Sequence, residues 1–230
     1  MAPTPVKRAI VRSYNPSSDF DDVVEICKAT AHPSINPVVD ILPYIYAIPY
    51  VNLEPETAFV LDTGGPGSGP DGEQRVVGYI IGTANTQEFV ERYRTEHLMS
   101  TDLPNEVSLE NSPQSSEESQ LRDIFLRILH EPEGMLHTKH PGFLEKYPAH
   151  LHIDILPSHQ RQGYGGIMVS EFLKKLREKG VKGVHLGMRA DNTLAGNFYK
   201  KHGFEVFADI KMDGTTWMVK GLKPTQAEDN

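Results

Sequence analysis

Ala149-His150-Leu151-His152-Ile153-Asp154-Ile155-Leu156-Pro157-Ser158-His159-Gln160-Arg161-Gln162-Gly163-Tyr164-Gly165-Gly166 reads as a strand, a turn and the start of a helix. The strand is Ala149 to Ile155, and the helix runs from about Gly163 to Lys179. Along that helix Val169, Phe172, Leu173 and Leu176 recur at i, i+3, i+4 and i+7. One face therefore packs on a sheet, while Lys174, Lys175, Arg177 and Glu178 face water. A strand at Val184 to Met188, a helix from about Asn192 to His202, and strands near Glu205 to Ile210 and Thr215 to Lys220 follow. Gly180 and Gly203 stand where helix C-terminal caps belong. The order β-turn-α-β-α-β-β puts the chain in the mixed α/β (α+β) class.

Glycines at a strand-to-helix turn leave backbone N–H groups pointing outward at a helix N-terminus. Unpaired donors and the helix dipole there favour an anion. Glycine lets the backbone approach a diphosphate closely and adopts positive φ where required, and Arg161 can add a charge-assisted contact. Two nucleotide-binding loops are excluded. The Walker form needs a Gly-Lys-Ser/Thr ending that does not occur, and the dinucleotide form needs a third glycine where Met168 stands. What remains is a different anion cradle, or a glycine-rich helix start with no ligand.

Upstream, Ala9 to Arg12 reads as a first strand, followed by a helix through Val23, Val24, Ile26 and Cys27 with Ser17 or Ser18 as its cap. His32 to Tyr50 carries four prolines, so only short helical turns fit there. Thr57 to Asp62 and Arg75 to Ala84 read as strands joined by a flexible, glycine-rich loop over 63–74. Residues 85–148 form a helical insertion before the fourth strand. Within it, Gln87 to His97 has helical spacing, Ser100 to Ser119 is polar, and about Glu118 to His130 carries a stripe of Leu121, Ile124, Phe125, Ile128 and Leu129. The insertion extends a cleft or mediates self-association as a homodimer. Residues 1–222 are expected to be a single domain, with 223–230 a tail.

The chain has 230 residues, enough for one substantial core. No apolar run approaches the ~18 residues of a membrane span, and Met1 to Tyr14 lacks a signal-peptide core. A soluble cytoplasmic protein, with nuclear access open, is expected. Cys27 is the only cysteine, so no intramolecular disulfide or Cys-cluster zinc site exists. A formal charge of -8 disfavours nucleic-acid binding and suits basic or amine partners.

His150, His152 and Asp154 alternate along one strand and so share a face. Three readings stay open for them: a general base, with His152 and Asp154 the candidates; a structural hydrogen-bonded cluster; or a metal site of two histidines and a carboxylate. Tyr44, Tyr46, Tyr50 and His150 are candidate acceptor-binding residues. The tyrosines can surround a sugar or an amine, or simply fill a core.

The C-terminal part resembles the GNAT superfamily of acyl-CoA-dependent N-acetyltransferases. Gln160-Arg161-Gln162-Gly163-Tyr164-Gly165 matches that family's pyrophosphate loop, and Asn192, Ala195, Phe198-Tyr199 and Gly203-Phe204 match its second signature. More narrowly, Tyr147 to Asp154 and Gly183 to Gly187 look like the acetyltransferase-like domain of O-GlcNAcase and its stand-alone microbial relatives. The resemblance implies a central mixed, mostly antiparallel twisted sheet, splayed between strands 4 and 5 and flanked by helices. It implies acetyl-CoA as co-substrate and no metal. The CoA-binding residues would be Ile153, Asp154, Ile155, Gln160, Arg161, Gln162, Gly163, Tyr164, Gly165, Gly166, Asn192, Phe198 and Tyr199, with Asn192 either touching the pantetheine arm or capping its helix.

The implied reaction is direct attack of a primary amine, from a small molecule or a lysine side chain, on the thioester. Tyr199 would protonate the departing sulfur, His152 or Asp154 would take the amine's proton, and a backbone N–H of the strand would polarise the thioester carbonyl. Some of the narrower group are thought to lack catalysis. That implies an alternative, a weak or inactive module that binds CoA or a protein or peptide partner.

Overall fold

The computed structural model describes residues 8–64, 76–100, 117–210 and 214–223. The expected loop over 63–74, the polar stretch from Ser100 to Ser119 and the tail fall largely outside them. Strand β1 (Ile10–Ser13) leads into α1 (Pro16–Ala29) through Asn15, whose side chain accepts from the Ser17 N–H. The cap is thus Asn15 and not Ser17 or Ser18. Pro16 supplies the reason, because it occupies the first helical position and holds the residue before it extended. The proline-rich span forms a 3-10 turn (Pro33–Val38), α2 (Leu42–Tyr46) and α3 (Ile48–Leu53), each with a proline in its first turn.

Strands β2 (Phe59–Asp62) and β3 (Val76–Thr83) come next, then α4 (Thr86–Arg92), a π turn (Tyr93–His97) and α5 (Leu98–Ser100). Helix α6 (Glu117–His130), a 3-10 turn (Pro132–Leu136) and α7 (Phe143–Lys146) precede β4 (Ala149–Ile155). Helix α8 (Tyr164–Glu178), β5 (Gly183–Arg189), α9 (Thr193–Lys201), β6 (Glu205–Val206) and β7 (Thr215–Gly221) complete the order. The stripe expected on α6 is turned. Leu126 and Leu129 are buried, while Ile124 and Ile128 are 50% and 39% exposed, because α6 packs on the first 3-10 turn and α2 rather than on the sheet. The strand expected over Glu205 to Ile210 is only two residues long, and Ile210 instead joins a small cluster with Phe143, Tyr147 and Val219.

The sheet has the order β1-β2-β3-β4-β5-β7-β6, antiparallel throughout except for β4 and β5. That parallel pair is joined through α8, as a crossover requires. It is in register only at Ala149↔Val184 and His150↔His185. Beyond this point β4 follows β3 as far as Gly78↔Ile155, and β5 follows β7 as far as Arg189↔Thr215, so the two halves of the sheet part. The splayed, mostly antiparallel sheet is the one the resemblance implied.

Alternation along the strands sends Tyr79 and Ile81 into a core with α1, α2, α3, α4 and α6. Ile80 and Leu151 point into a second core under α8. Val169, Phe172, Leu173 and Leu176 are all buried there, as their spacing requires. Each contributes roughly 1.5–3 kcal/mol by leaving water. At Gly82 an added Cβ would run into the His150 carbonyl and the Phe172 ring, so glycine lets β3, β4 and α8 close on one another.

Candidate active site

On the α1 to α3 side, where β4 and β5 part, lies a cavity of about 570 Å3. Its walls include Tyr46 and Tyr50 from α2 and α3, Met135 and His137 after α6, His150, His152 and Asp154 of β4, His185 of β5 and Trp217 of β7. The period of two in β4 brings its three polar side chains together, as the sequence indicated. Asp154 stands opposite Tyr79 in the β3–β4 register and accepts a 2.6 Å hydrogen bond from its hydroxyl. Desolvation raises the Asp154 carboxyl above its ordinary value, against the lowering effect of that bond.

The histidines are pushed the other way. Desolvation takes His152 down to about 4 and His185 to about 3. It takes His150 well below 6.5, helped by the neighbouring histidines. All are uncharged at neutral pH. Tyr50 Oη lies 2.8 Å from His150 Nε2 and 3.1 Å from His152 Nε2. His150 Nδ1 lies 2.8 Å from Thr86 Oγ1, and His185 Nδ1 donates to the Tyr147 carbonyl at 2.7 Å. The Tyr46 ring centroid sits 5.5 Å from that of His152. Tyr44 does not line the cavity; its carbonyl accepts from Tyr93 and His97, which fixes α2 from behind. Among the described residues, no group of three or more His, Cys, Asp or Glu side chains is arranged to hold a metal ion.

At the turn after β4, Gly163 is the residue before α8, with φ +89, and no side chain caps the helix. The first helical N–H groups to find a backbone acceptor are those of Gly166 and Ile167, both on the Gly163 carbonyl, so the donors before them are left for an anion. Arg161, at the exposed tip, also has positive φ, +57. Gln160 and Gln162, both exposed, bond back onto the turn itself. Their amides donate to the carbonyls of Ile155 at 2.7 Å and Ser158 at 2.8 Å, which staples the loop. Gly165 and Gly166 serve packing: an added Cβ would press on the Phe198 ring at 3.2 Å or on His202 at 2.8 Å.

Asn192 caps α9 by accepting from the Ala195 N–H at 3.0 Å. Tyr199 is buried against Phe198 and Phe204 in the core under α8 and is not part of the cavity wall. Desolvation, with the Asp154 charge, raises its hydroxyl far above 10. Sequence reasoning missed Tyr79, Thr86, His137, His185 and Trp217. Only His185 left a signal, since its place on β5 repeats the in-and-out alternation seen on β4.

Residues 42–204 match the profile of the acetyltransferase (GNAT) family, and the chain belongs to that family. Over 93% of its length it is similar, at 37% identity and a TM-score of 0.73, to the crystal structure of SsHAT, covering 98% of that chain. A chain of the NatC complex bound to Gag peptide and CoA (10% identity, 94% and 99% covered, TM-score 0.50) shares the fold, as does PH1933 from Pyrococcus horikoshii OT3 (10%, 94% and 99%, 0.50). The family is one of acetyltransferases, and its acetyl donor is acetyl-CoA. The chain's residues fit that molecule: the parting of β4 from β5 frees strand edge for a pantetheine arm, and the uncapped start of α8 presents donors to a diphosphate. Among the described residues, no helix is long and apolar enough to cross a membrane.

Proposed function

We propose that this chain transfers an acetyl group from acetyl-CoA to a primary amine, on a small molecule or a lysine side chain, bound in the cavity beside β4. The observation that carries this reading is that His152 and Asp154 line a single cavity at the mouth of the β4–β5 gap. Its walls combine aromatic faces with acceptors: the Asp154 carboxylate and uncharged imidazoles. An amine offers hydrogens and, when charged, a cation–π partner, so it complements both.

Asp154 draws the amine in and His152 takes its proton. Ile153, Asp154 and Ile155 offer backbone groups to the pantetheine arm. The α8 start, with Arg161, holds the diphosphate. Tyr199 keeps its proton at physiological pH, as a donor to the sulfur must. We read residues 1–222 as one domain, since both apolar layers share one sheet. We also read the narrower kinship with O-GlcNAcase-associated domains from Tyr147 to Asp154 and Gly183 to Gly187.

Two measurements test this. Acetyl-CoA at ~100 times its dissociation constant should stabilise the protein by roughly 2.7 kcal/mol, and free thiol should appear when the right amine is added. Tyr199→Phe should lower that rate by about 10²-fold. A second reading, a CoA-binding module without turnover, is favoured by the packing of Tyr199 away from the cavity. Stabilisation by acetyl-CoA with no thiol release across a broad amine panel would select it.

A further inference from the structure

We infer that Thr86, His150 and Tyr50 are positioning residues: their hydrogen bonds fix His152 in the Nε2–H form and leave Nδ1 as the atom that takes the amine's proton. The inference rests on the proposed role of His152, and the direction of every bond follows from a fixed end.

The Pro148 carbonyl accepts from the Thr86 N–H at 2.8 Å and lies 2.7 Å from Thr86 Oγ1. A carbonyl cannot donate, so the single hydroxyl hydrogen of Thr86 lies on it. Oγ1 can then only accept from His150, which makes Nδ1 the protonated nitrogen at 2.8 Å. His150 is 6% exposed, with the rings of His152 and His185 centred 6.1 and 5.5 Å away, surroundings that keep it uncharged. Its Nε2 therefore carries a lone pair, and the Tyr50 hydroxyl donates into it at 2.8 Å. Met135 Sδ, at 3.9 Å from that hydroxyl, is the weaker competitor.

With its one hydrogen committed, Tyr50 Oη can only accept from His152 Nε2 at 3.1 Å. An uncharged His152 has no second hydrogen, so Nδ1 is bare. Reversing the chain would set the Thr86 oxygen against a carbonyl with no hydrogen between them. As the amine nitrogen bonds to the acyl carbon, the carbon–sulfur bond breaks with its electron pair passing to sulfur, which takes the Tyr199 proton; solvent later reprotonates Tyr199. The amine's proton moves to His152 Nδ1, the imidazolium keeps its Nε2–H on Tyr50, and it returns the proton to solvent after the amide leaves.

Ring 15N signals of histidine-labelled protein at pH 7, assigned with His150→Gln and His152→Gln, test this directly. The expected result is uncharged rings with hydrogen on Nε2 of His152 and on Nδ1 of His150. Tyr50→Phe should shift His152 toward a mixture of both forms and lower kcat by about tenfold or more, with KM for acetyl-CoA unchanged. Hydrogen on Nδ1 of wild-type His152, or an unaltered His152 pattern in Tyr50→Phe, would overturn the inference. Full turnover by His152→Gln, with the wild-type protein still showing hydrogen on His152 Nε2, would overturn the base role instead, so the two failures are separable.

Discussion

His185 and Asp154 face the same cavity, yet desolvation moves them in opposite directions, because it penalises a cationic imidazole and an anionic carboxylate alike. For His150, His152 and His185 the folded values lie below the unfolded 6.5. The unfolded chain therefore binds more protons between 6.5 and the folded values, about 4 for His152 and about 3 for His185. Stability from these residues is complete above 6.5 and is lost as pH falls through that window, at about 1.4 kcal/mol per unit of depression. Asp154 opposes this, since its raised value favours the folded state as pH falls through it. Urea unfolding at pH 7 and pH 4.5 should show a loss of a few kcal/mol, and His185→Asn should flatten the slope. A slope unchanged by that substitution would mean that His185 already titrates normally in the folded protein.

At the α8 start, the glycines divide two tasks. Gly163 needs its left-handed backbone and has nothing near an added Cβ, whereas Gly165 has ordinary space for φ but meets Phe198 of α9. Gly163→Ala should therefore cost about 1–2 kcal/mol of backbone strain and weaken acetyl-CoA binding by reorienting the loop. Gly165→Ala should push α8 off α9 and lower the unfolding temperature; calorimetry with and without acetyl-CoA separates the two.

Elements with a strong local pattern were legible in the sequence: the buried stripe of α8, the alternation of β4, and the left-handed Gly180 and Gly203 that end α8 and α9. The Asn15 cap was missed because Pro16 moved the helix start, and the α6 face because that helix packs on other helices. The roles of Gly165 and Gly166 in packing depend on α9, about 30 residues away in the chain, and no local pattern reports that.

At the scale of the molecule, the β4 half of the site could be read from three side chains at a spacing of two. The other half could not: His185 and Trp217 arrive on β5 and β7 after a crossover and a hairpin, Thr86 begins α4, and Tyr50 begins some 100 residues before β4. The sheet register places the two strand residues, and the packing of α3 and α4 on the sheet brings in Tyr50 and Thr86. The division is also one of labour. The proposed diphosphate cradle and strand edge belong to β4, β5 and α8, while Met135 and His137 close the cavity from the chain between α6 and α7. Exchanging residues 131–137 for a different sequence should change which amine releases thiol while leaving the acetyl-CoA dissociation constant within about twofold.

Because residues 131–137 come from a connection outside the strands proposed to carry the thioester chemistry, the choice of customer could drift without retooling the machine. A gene duplicate could acquire a new acceptor through a handful of substitutions in that short segment, inheriting the donor half intact.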